Sequence, residues 1–504
     1  MIVKRLSEFT STITINRRIG GVDPLIRGIA YDSRMASAGS LFFALGGIHT
    51  DGFLFIDGAI ERGAAAIVCS RAPERPHEGI VYLVVDDPRR VMSPIAAEFY
   101  GHPSRKLKVI GVTGTDGKST TVFLAHQLIE KLGKASGFLS TVQIKTGENI
   151  GKNRYRQSTP EASEIHAILA EMVDQGKEFA VIEATSHGLS ERTGRLADVR
   201  FSGGVMTNVT HEHLEFHGSF EQYRSDKANL FRALEGEGAF GVVNCEDASS
   251  DLFRRVAHAP VYGYSSSGAA EADLAAVDIR PDPTGIELTL AERDGGRHAA
   301  RINLPGLFNV DNALAALLAV SKATGVPVGE IARHLPSLLP AQGRMHSVAR
   351  GQEYTLIVDY AHTPGAFSRL LPAIREQTTG RLVALFGSAG ERDVEKRHLQ
   401  GEIADQYCDM IVLADEDPRG ERPESILEEI AAGIRGKVRG ETLFLVPNRR
   451  EAIRKALSIA KAGDTVLLLG KGHESSIIYA SGAIPWNETE AAEEVLSEMG
   501  YRGR

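Results

Sequence analysis

Residues 107–132, LKVIGVTGTDGKSTTVFLAHQLIEKL, leave the chain little choice of local structure. The β-branched run at 109–112 reads as a buried strand, and Ala125, Leu128, Ile129 and Leu132 recur at i, i+3, i+4 and i+7, the spacing of one helix face. Between them lies a turn punctuated by Gly111, Gly114 and Gly117 and closed by Lys118 and Ser119. A strand running through a glycine turn into a helix makes a phosphate cradle. Backbone N–H groups and the helix N-terminus face the anion, Lys118 adds a point charge, and Ser119 can hold Mg²⁺. The strict pattern G-x-x-x-x-G-K-[ST] demands glycine where Val112 stands, so the match lies in chemistry and not in a fixed string. The loop Gly114, Thr115, Asp116, Gly117, Lys118, Ser119 and Thr120 is expected to bind ATP.

A cradle of this kind needs a sheet behind it. Strand-like runs at 180–184, 203–206 and 241–245 alternate with helical stretches, and further runs at 355–360, 382–386, 410–414 and 465–469 repeat the pattern, so an α/β chain with two mostly parallel sheets is expected. At 504 residues the chain exceeds a single core, and three domains are expected: 1–100, a small α/β substrate domain; 101–340, a central P-loop ATPase domain; and 341–504, a Rossmann-like domain. No apolar run approaches the roughly 20 residues of a membrane span, and residues 1–20 lack a signal-peptide core, so a cytoplasmic protein with no membrane partner is expected. Cys69, Cys245 and Cys408 are far apart with no CxxC pair, which argues for buried free thiols over disulfides or zinc. A formal charge of −8 argues against nucleic acid, so any anionic ligand must meet a local basic cluster.

Polar residues gather where the expected strands end, the place where open α/β sheets bind ligands. Glu183 closes VIEA and is followed by Thr185, Ser186 and His187; a carboxylate there suits Mg²⁺ near the loop. Thr207-Asn208 precedes the run 211–218, HEHLEFHG, which lacks H-E-x-x-H and soft ligands and so does not read as a zinc site. Lys227 lies in YRSDKANLF on an expected helix; by spacing alone it reads as a solvated or ion-paired lysine. Asp32, Ser33 and Arg34 precede an apolar strand at 41–45, and by themselves suit a turn with a surface ion pair as well as a ligand contact. Ser158-Thr159-Pro160-Glu161 reads as a helix N-cap with proline near the first turn.

Together these phrases resemble the Mur ligase family, and within it the MurE type. The phrases are D-S-R with A-G-x-L-F-F-A and D-G-x-x-F-I, the loop G-x-T-G-T-x-G-K-S, S-T-P-E, E-A-T-S-H-G-L, T-N-V-x-x-x-H-L-x-x-H-G, Y-x-x-x-K-x-x-L-F and G-x-x-N-x-x-N-x-x-A-A. The last third adds DYAHTP, GERD, DPR and GKGHE, so all three expected domains are covered. The resemblance implies a ligase that joins a dibasic residue (meso-diaminopimelate, L-lysine or L-ornithine) to the D-glutamate of UDP-N-acetylmuramoyl-L-alanyl-D-glutamate through an acyl phosphate, acting as a monomer. It implies Asn312, Arg344 and Asp359 near the nucleotide and Ser33, Ser158, Thr159 and Thr185 near the UDP-muramoyl dipeptide. Arg392, Glu416, Asp417, Arg419, Gly470 and Glu474 would lie near the diamino acid. Ser119, Glu183, His213 and Lys227 are implied around Mg²⁺, with Lys227 as a carbamate formed from CO₂, and Lys118, Lys227, Glu183 and His213 as the catalytic group.

Several departures from the family pattern stand out. Asp116 occupies a usual asparagine, Glu212 and Glu215 occupy usual aspartates, and His346 follows Met345 where glutamate is common. Thr193 fills the slot of an expected arginine, leaving Arg192 and Arg195 both open. Asp417 replaces a neutral amide beside Arg419; its charge should repel a distal carboxylate that Arg419 could grip, so the incoming amino acid stays open. The alternatives are a folylpolyglutamate or cyanophycin-type ligase, a P-loop NTPase, and a non-catalytic relative.

Overall fold

The computed structural model describes residues 2–502 except 48, 49, 156, 211, 213, 283, 284 and 305. The chain forms two compact units, one of Met1–Ala275, Ala291–Gly296 and Asp311–His334, the other of Ala276–Leu290, Arg297–Val310 and Leu335–Arg504.

The first unit contains two large sheets. The smaller has the strand order Arg17–Ile19, Val81–Val84, Ala64–Cys69, Ser40–Phe43, Gly28–Ala30, antiparallel only at Arg17–Ile19. Buried on both faces, its inner strands are continuous apolar runs, as parallel strands must be. Leu41, Phe43, Val68 and Leu83 pack against Ile95 and Phe99 of helix Pro88–Phe99, which Asp87 opens by accepting from Arg89 N–H.

The larger sheet is built around strand Lys108–Thr113, which pairs in parallel with Phe179–Glu183 on one side and Gly203–Met206 on the other. From Phe179–Glu183 the sheet continues to Ser136–Leu139, and from Gly203–Met206 to Phe240–Asn244 and Val261–Ser265. Strand order therefore reverses at Lys108–Thr113, and the crevice at such a switch point is where α/β sheets take their ligands. Helix Lys118–Lys131 leaves that strand through Gly117, an N-cap residue that offers no side-chain cap of its own.

The second unit carries a six-stranded sheet ordered His346–Ser347, Thr355–Asp359, Thr465–Leu469, Leu382–Phe386, Met410–Leu413, Leu443–Leu445, antiparallel only at His346–Ser347. Leucine, isoleucine and valine fill its central strands, with a layer of helices on each side. Arg449, 1% exposed, is held by Glu488 through Nε and Nη2 and by the carbonyls of Asp415 and Leu469, so a buried charge is paired and each guanidinium nitrogen is bonded. Strands Leu274–Asp282, Gly285–Glu292 and Arg297–Ile302 are a departure from the sequence reading, which passed over them. Ile286, Leu288 and Leu290 alternate inward along the second of these.

Cys69 and Cys408 are buried free thiols as expected, whereas Cys245 is only half-buried, its sulfur 3.5 Å from the Arg254 guanidinium. No described helix is long and apolar enough to cross a membrane.

Candidate active site

The glycine loop leaves the carboxyl end of strand Lys108–Thr113, and both neighbouring strands deliver partners to the same edge. Gly114 has φ +151°, and a β-carbon there would stand 1.9 Å from Thr207 Oγ1. Gly117 has φ +81°, and its β-carbon would stand 2.3 Å from Asn312 Oδ1. Each position needs glycine for its dihedral and for the close approach of a neighbour. Asn312 Oδ1 also accepts from Thr121 Oγ1 at 3.3 Å, so the asparagine named from the sequence lies against the loop. The chain after strand Gly203–Met206 latches the loop: Asp116 N–H donates to Asn208 Oδ1 (2.9 Å), Thr115 N–H to Asn208 O (2.8 Å), and Thr207 Oγ1 to Asp116 O (2.6 Å). Lys118 arches back over the turn, Nζ donating to Gly114 O (3.0 Å) and Thr115 O (2.7 Å). Thr120 is half-buried on the first helical turn beside Ser119.

Glu183 is fully buried at the end of its strand and accepts three hydrogen bonds, from Ser119 Oγ (2.5 Å), Thr141 N–H (2.7 Å) and Thr141 Oγ1 (2.9 Å). A carboxylate without surface is tolerable only when so bonded. Thr159 Oγ1 donates to Glu183 O (3.0 Å) and accepts from Thr185 N–H (3.2 Å) and Thr185 Oγ1 (2.9 Å), with Ser158 half-buried beside it. Arg195 turns inward to Thr159 O and Glu161 Oε1, both at 3.2 Å, whereas Arg192 reaches Phe216 O and lies over the Phe216 ring.

Lys227, 2% exposed on helix Phe220–Arg232, donates to Gly114 O at 2.6 Å and stands 4.5 Å from the centre of the Tyr223 ring. Burial holds its amine well below the ordinary lysine range; Lys118 adds to the depression, and Glu212 and Asp116 oppose it. One residue earlier, Asp226 Oδ2 lies 2.7 Å from His217 Nδ1, and His217 Nε2 lies 3.0 Å from Ser186 Oγ. This buried chain ties the turn after Glu183 to the helix of Lys227. His213 lies outside the described residues.

Ser33 opens the short 3₁₀ turn Ser33–Met35, which Asp32 caps by accepting from Arg34 N–H at 3.0 Å. The Asp32–Arg34 ion pair foreseen as the plainer reading is present.

In the second unit, Asp359 accepts N–H bonds from Met345 and Ala361, both at 2.8 Å, and burial pushes its carboxyl above the usual range against the pull of Arg344. Arg344 lies over the Tyr360 ring, whose hydroxyl donates to Glu474 Oε1 at 3.2 Å. Lys471, without exposed surface, donates to Asp417 Oδ1 (2.8 Å) and to Glu474 Oε2. Asp417 Oδ1 also accepts from Ile478 N–H (3.0 Å), while Arg419 N–H donates to Ile478 O (2.8 Å). Glu416 packs over Gly470, and burial drives its carboxyl up to about 7, with Lys396, Arg449 and Lys471 pulling the other way. Arg344, Asp359, Glu416, Asp417, Arg419, Gly470 and Glu474 thus share one constellation; Arg392 is exposed.

Lys471 changes the setting of one expectation. The sequence left Asp417 as a bare negative charge; a buried ammonium 2.8 Å away, shared with Glu474, offsets it in part, so that one ammonium stands against two carboxylates. Glu416 is the acid left without such a partner, its Oε2 buried and unbonded. A carboxyl raised in the folded state favours folding below its unfolded value of 4.5 and loses that contribution as pH climbs through about 7. Glu416→Gln is therefore expected to melt increasingly above the wild type from pH 5 to pH 8, by several degrees at the upper end, in parallel scanning calorimetry; a difference independent of pH would count against the buried acid. Lys471, Thr141, Tyr360 and the His217–Asp226 pair were missed from the sequence. GKGHE and the Leu139-Ser-Thr141 strand end were visible signals, but Asp417 lies 54 residues from Lys471 and Glu183 lies 42 from Thr141.

Three family descriptions match the chain: "Mur ligase family, catalytic domain" over residues 25–100, "Mur ligase middle domain" over 112–320, and "Mur ligase, glutamate ligase domain" over 343–472. The UDP-N-acetylmuramyl-tripeptide synthetase of Borreliella burgdorferi is 46% identical over 484 residues, covering 95% of this chain and 94% of its own. The UDP-N-acetylmuramoyl-L-alanyl-D-glutamate–2,6-diaminopimelate ligase of Geobacillus kaustophilus is 37% identical, covering 95% and 96%. A solved diaminopimelate ligase structure of the same type superposes with TM-score 0.65 at 29% identity, covering 94% of this chain and 95% of that one.

Proposed function

The chain belongs to the Mur ligase family, a three-domain α/β architecture, and from that premise we propose that it performs ATP-dependent ligation of a dibasic amino acid to UDP-N-acetylmuramoyl-L-alanyl-D-glutamate in peptidoglycan precursor synthesis. The observation that carries this reading is the meeting of Lys118, the Ser119–Glu183 pair and the buried amine of Lys227 at one glycine loop. A bare NTPase has no use for the second unit's acid-rich constellation. Matches over residues 25–100, 112–320 and 343–472 support this reading, in which we take domains 1–100, 101–340 and 341–504 to hold the UDP-muramoyl dipeptide, ATP and the amino acid respectively. Cytoplasmic residence fits a substrate built on a soluble nucleotide.

Carboxylate and ammonium do not condense in water, so the carboxylate must first become an acyl phosphate. Its oxygen attacks the γ-phosphorus, the bond to the β–γ bridging oxygen breaks, and ADP departs. Charge spread over the transferring oxygens is met by the uncapped N–H groups of helix Lys118–Lys131 and by Lys118 Nζ, which exchanges its two loop carbonyls for phosphate. The amine of the diamino acid then attacks the acyl carbon, the tetrahedral oxyanion collapses, orthophosphate leaves and the amine nitrogen loses its proton. Thr159 and Thr185, hydrogen-bonded to each other and to the end of the Glu183 strand, are suited to orient the acid.

Ser119 Oγ and Glu183 Oε1 are hard oxygen donors 2.5 Å apart at the loop mouth, a fit for Mg²⁺. Ser119 and Glu183 would hold the cation, and Mg²⁺ there would offset the charge of the phosphate groups. Lys227, with its amine neutral, can attack CO₂: the N–C bond forms, one C–O π pair becomes carboxylate charge, and the nitrogen's proton goes to solvent. The anion so made would stand next to Gly114, and His213 would join Ser119 and Glu183 around the cation.

Purified protein should release ADP only when the UDP-muramoyl dipeptide and a diamino acid are both present. Release needing neither would indicate an NTPase, release with a folate or a polyaspartate acceptor would indicate the rival ligases, and none under any mixture would indicate a non-catalytic relative. With Asp417 partly offset by Lys471, we take Arg419 to read a distal carboxylate bidentately. Arg419→Ala is expected to lower kcat/KM for meso-diaminopimelate roughly 10- to 100-fold, the worth of a charge-assisted pair, while leaving L-lysine and L-ornithine within a factor of about three. Equal losses for all three would remove Arg419 as the reader.

A further inference from the structure

A cleft of about 700 Å³ opens at the amino ends of the central strands, across the sheet from the glycine loop and wholly within the first compact unit. Arg105, Lys106 and Lys108 reach it from the segment entering strand Lys108–Thr113, and Arg200 from the approach to strand Gly203–Met206. Lys134, Lys177 and Lys322 reach it from the C-terminal ends of three helices, Lys118–Lys131, Ala162–Asp174 and Phe308–Thr324. All seven are exposed or half-buried, and none forms an ion pair with a described residue, in a chain that pairs many of its other cations and carries a net charge of −8. Instead, Lys108 Nζ rests on Ala323 O at 3.1 Å, and Lys322 lies 4.1 Å from the centre of the Tyr262 ring.

Lysines near helix C-termini have a routine explanation, since each helix end there carries about −0.5 charge. Three such ends and the two carboxylates in the cleft, Glu178 and Glu237, still leave an excess of roughly three to four positive charges. Concave walls lined by one sign of charge concentrate counter-ions. Strand Lys108–Thr113 spans about 20 Å at roughly 3.3 Å per residue, so a nucleotide on the glycine loop does not reach this cleft.

We infer that the cleft is a second anion site, taking a ligand that presents two or more phosphate groups and is distinct from the ATP of the glycine loop. The same chemistry could come from a polyphosphorylated solute or from anionic phospholipid head groups.

Full-length protein saturated with ADP, titrated with sodium tripolyphosphate in a calorimeter, should show one further site whose affinity falls steeply between 20 and about 150 mM salt. Arg105→Glu with Lys106→Glu, and separately Lys177→Gln with Arg200→Gln, should each weaken it at least tenfold while substrate-dependent ADP release stays within twofold. Sedimentation with phosphatidylglycerol vesicles supplies the second arm. Cleft-dependent vesicle binding without a tripolyphosphate site identifies a head group, and the reverse identifies a solute. Binding of neither probe, or binding that both variants retain undiminished, overturns the inference.

Discussion

Lys227→Ala should lose at least about 1000-fold in substrate-dependent ADP release, and regain part of it when short-chain carboxylic acids such as acetate are added. The loss is large because the side chain is completely enclosed and aimed at the loop that would hold the triphosphate, so no neighbouring group can take its place. The rescue follows from chemistry: an alanine leaves a cavity against Tyr223, where a free carboxylate can stand in for a carbamate, whereas it cannot stand in for an ammonium. Rescue by carboxylic acids and not by alkylamines is therefore the informative result. Full activity in the alanine variant, or rescue by methylamine alone, would end the carbamate reading and leave Lys227 as an ordinary buried cation.

The second large effect is expected at Glu183→Gln. The carboxylate takes two donors from Thr141 and one from Ser119, and an amide can accept at only one of its two ends. Its NH₂ then faces the Thr141 hydroxyl, which must turn from donor to acceptor, leaving buried protons without acceptors at about 1–3 kcal/mol, enough to lower the melting temperature by a few degrees. Turnover should fall further, about 100- to 1000-fold, because the charge that suits Mg²⁺ goes with the oxygen. Thr141→Val is the control: it removes one of the same hydrogen bonds without touching the charge. It should therefore share the thermal penalty and keep most of the turnover; equal kinetic losses in the two variants would make Glu183 a structural residue only.

Local patterns carried most of the fold. The strand expected at 109–112 is Lys108–Thr113, the helix face read from Ala125 to Leu132 belongs to a helix that begins at Lys118, and the strands of the last third fall within a residue or two of their expected limits. The strands between Leu274 and Ile302 were equally legible, since Ile286, Leu288 and Leu290 alternate cleanly, but no motif drew attention to them. The candidate site was legible where chemistry is contiguous, from Gly114 to Thr120. It was illegible where it depends on contacts across the fold. Nothing about the spacing of Asp417 and Lys471, 54 residues apart, announces that one partly offsets the other, so the charge reading made from Asp417 alone was incomplete. The basic cleft is the extreme case, its members scattered from Arg105 to Lys322.

Gly117 gives the head of its helix no side chain, so the amides of that first turn look to whatever occupies the crevice for their acceptors. Occupancy and order at this turn are thereby linked through mass action. A ligand present at a hundred times its dissociation constant adds about 2.7 kcal/mol to the folded state, and here that gain enters through the very groups that grip it. The catalytic strand and its helix are thus most firmly set when there is substrate to act on.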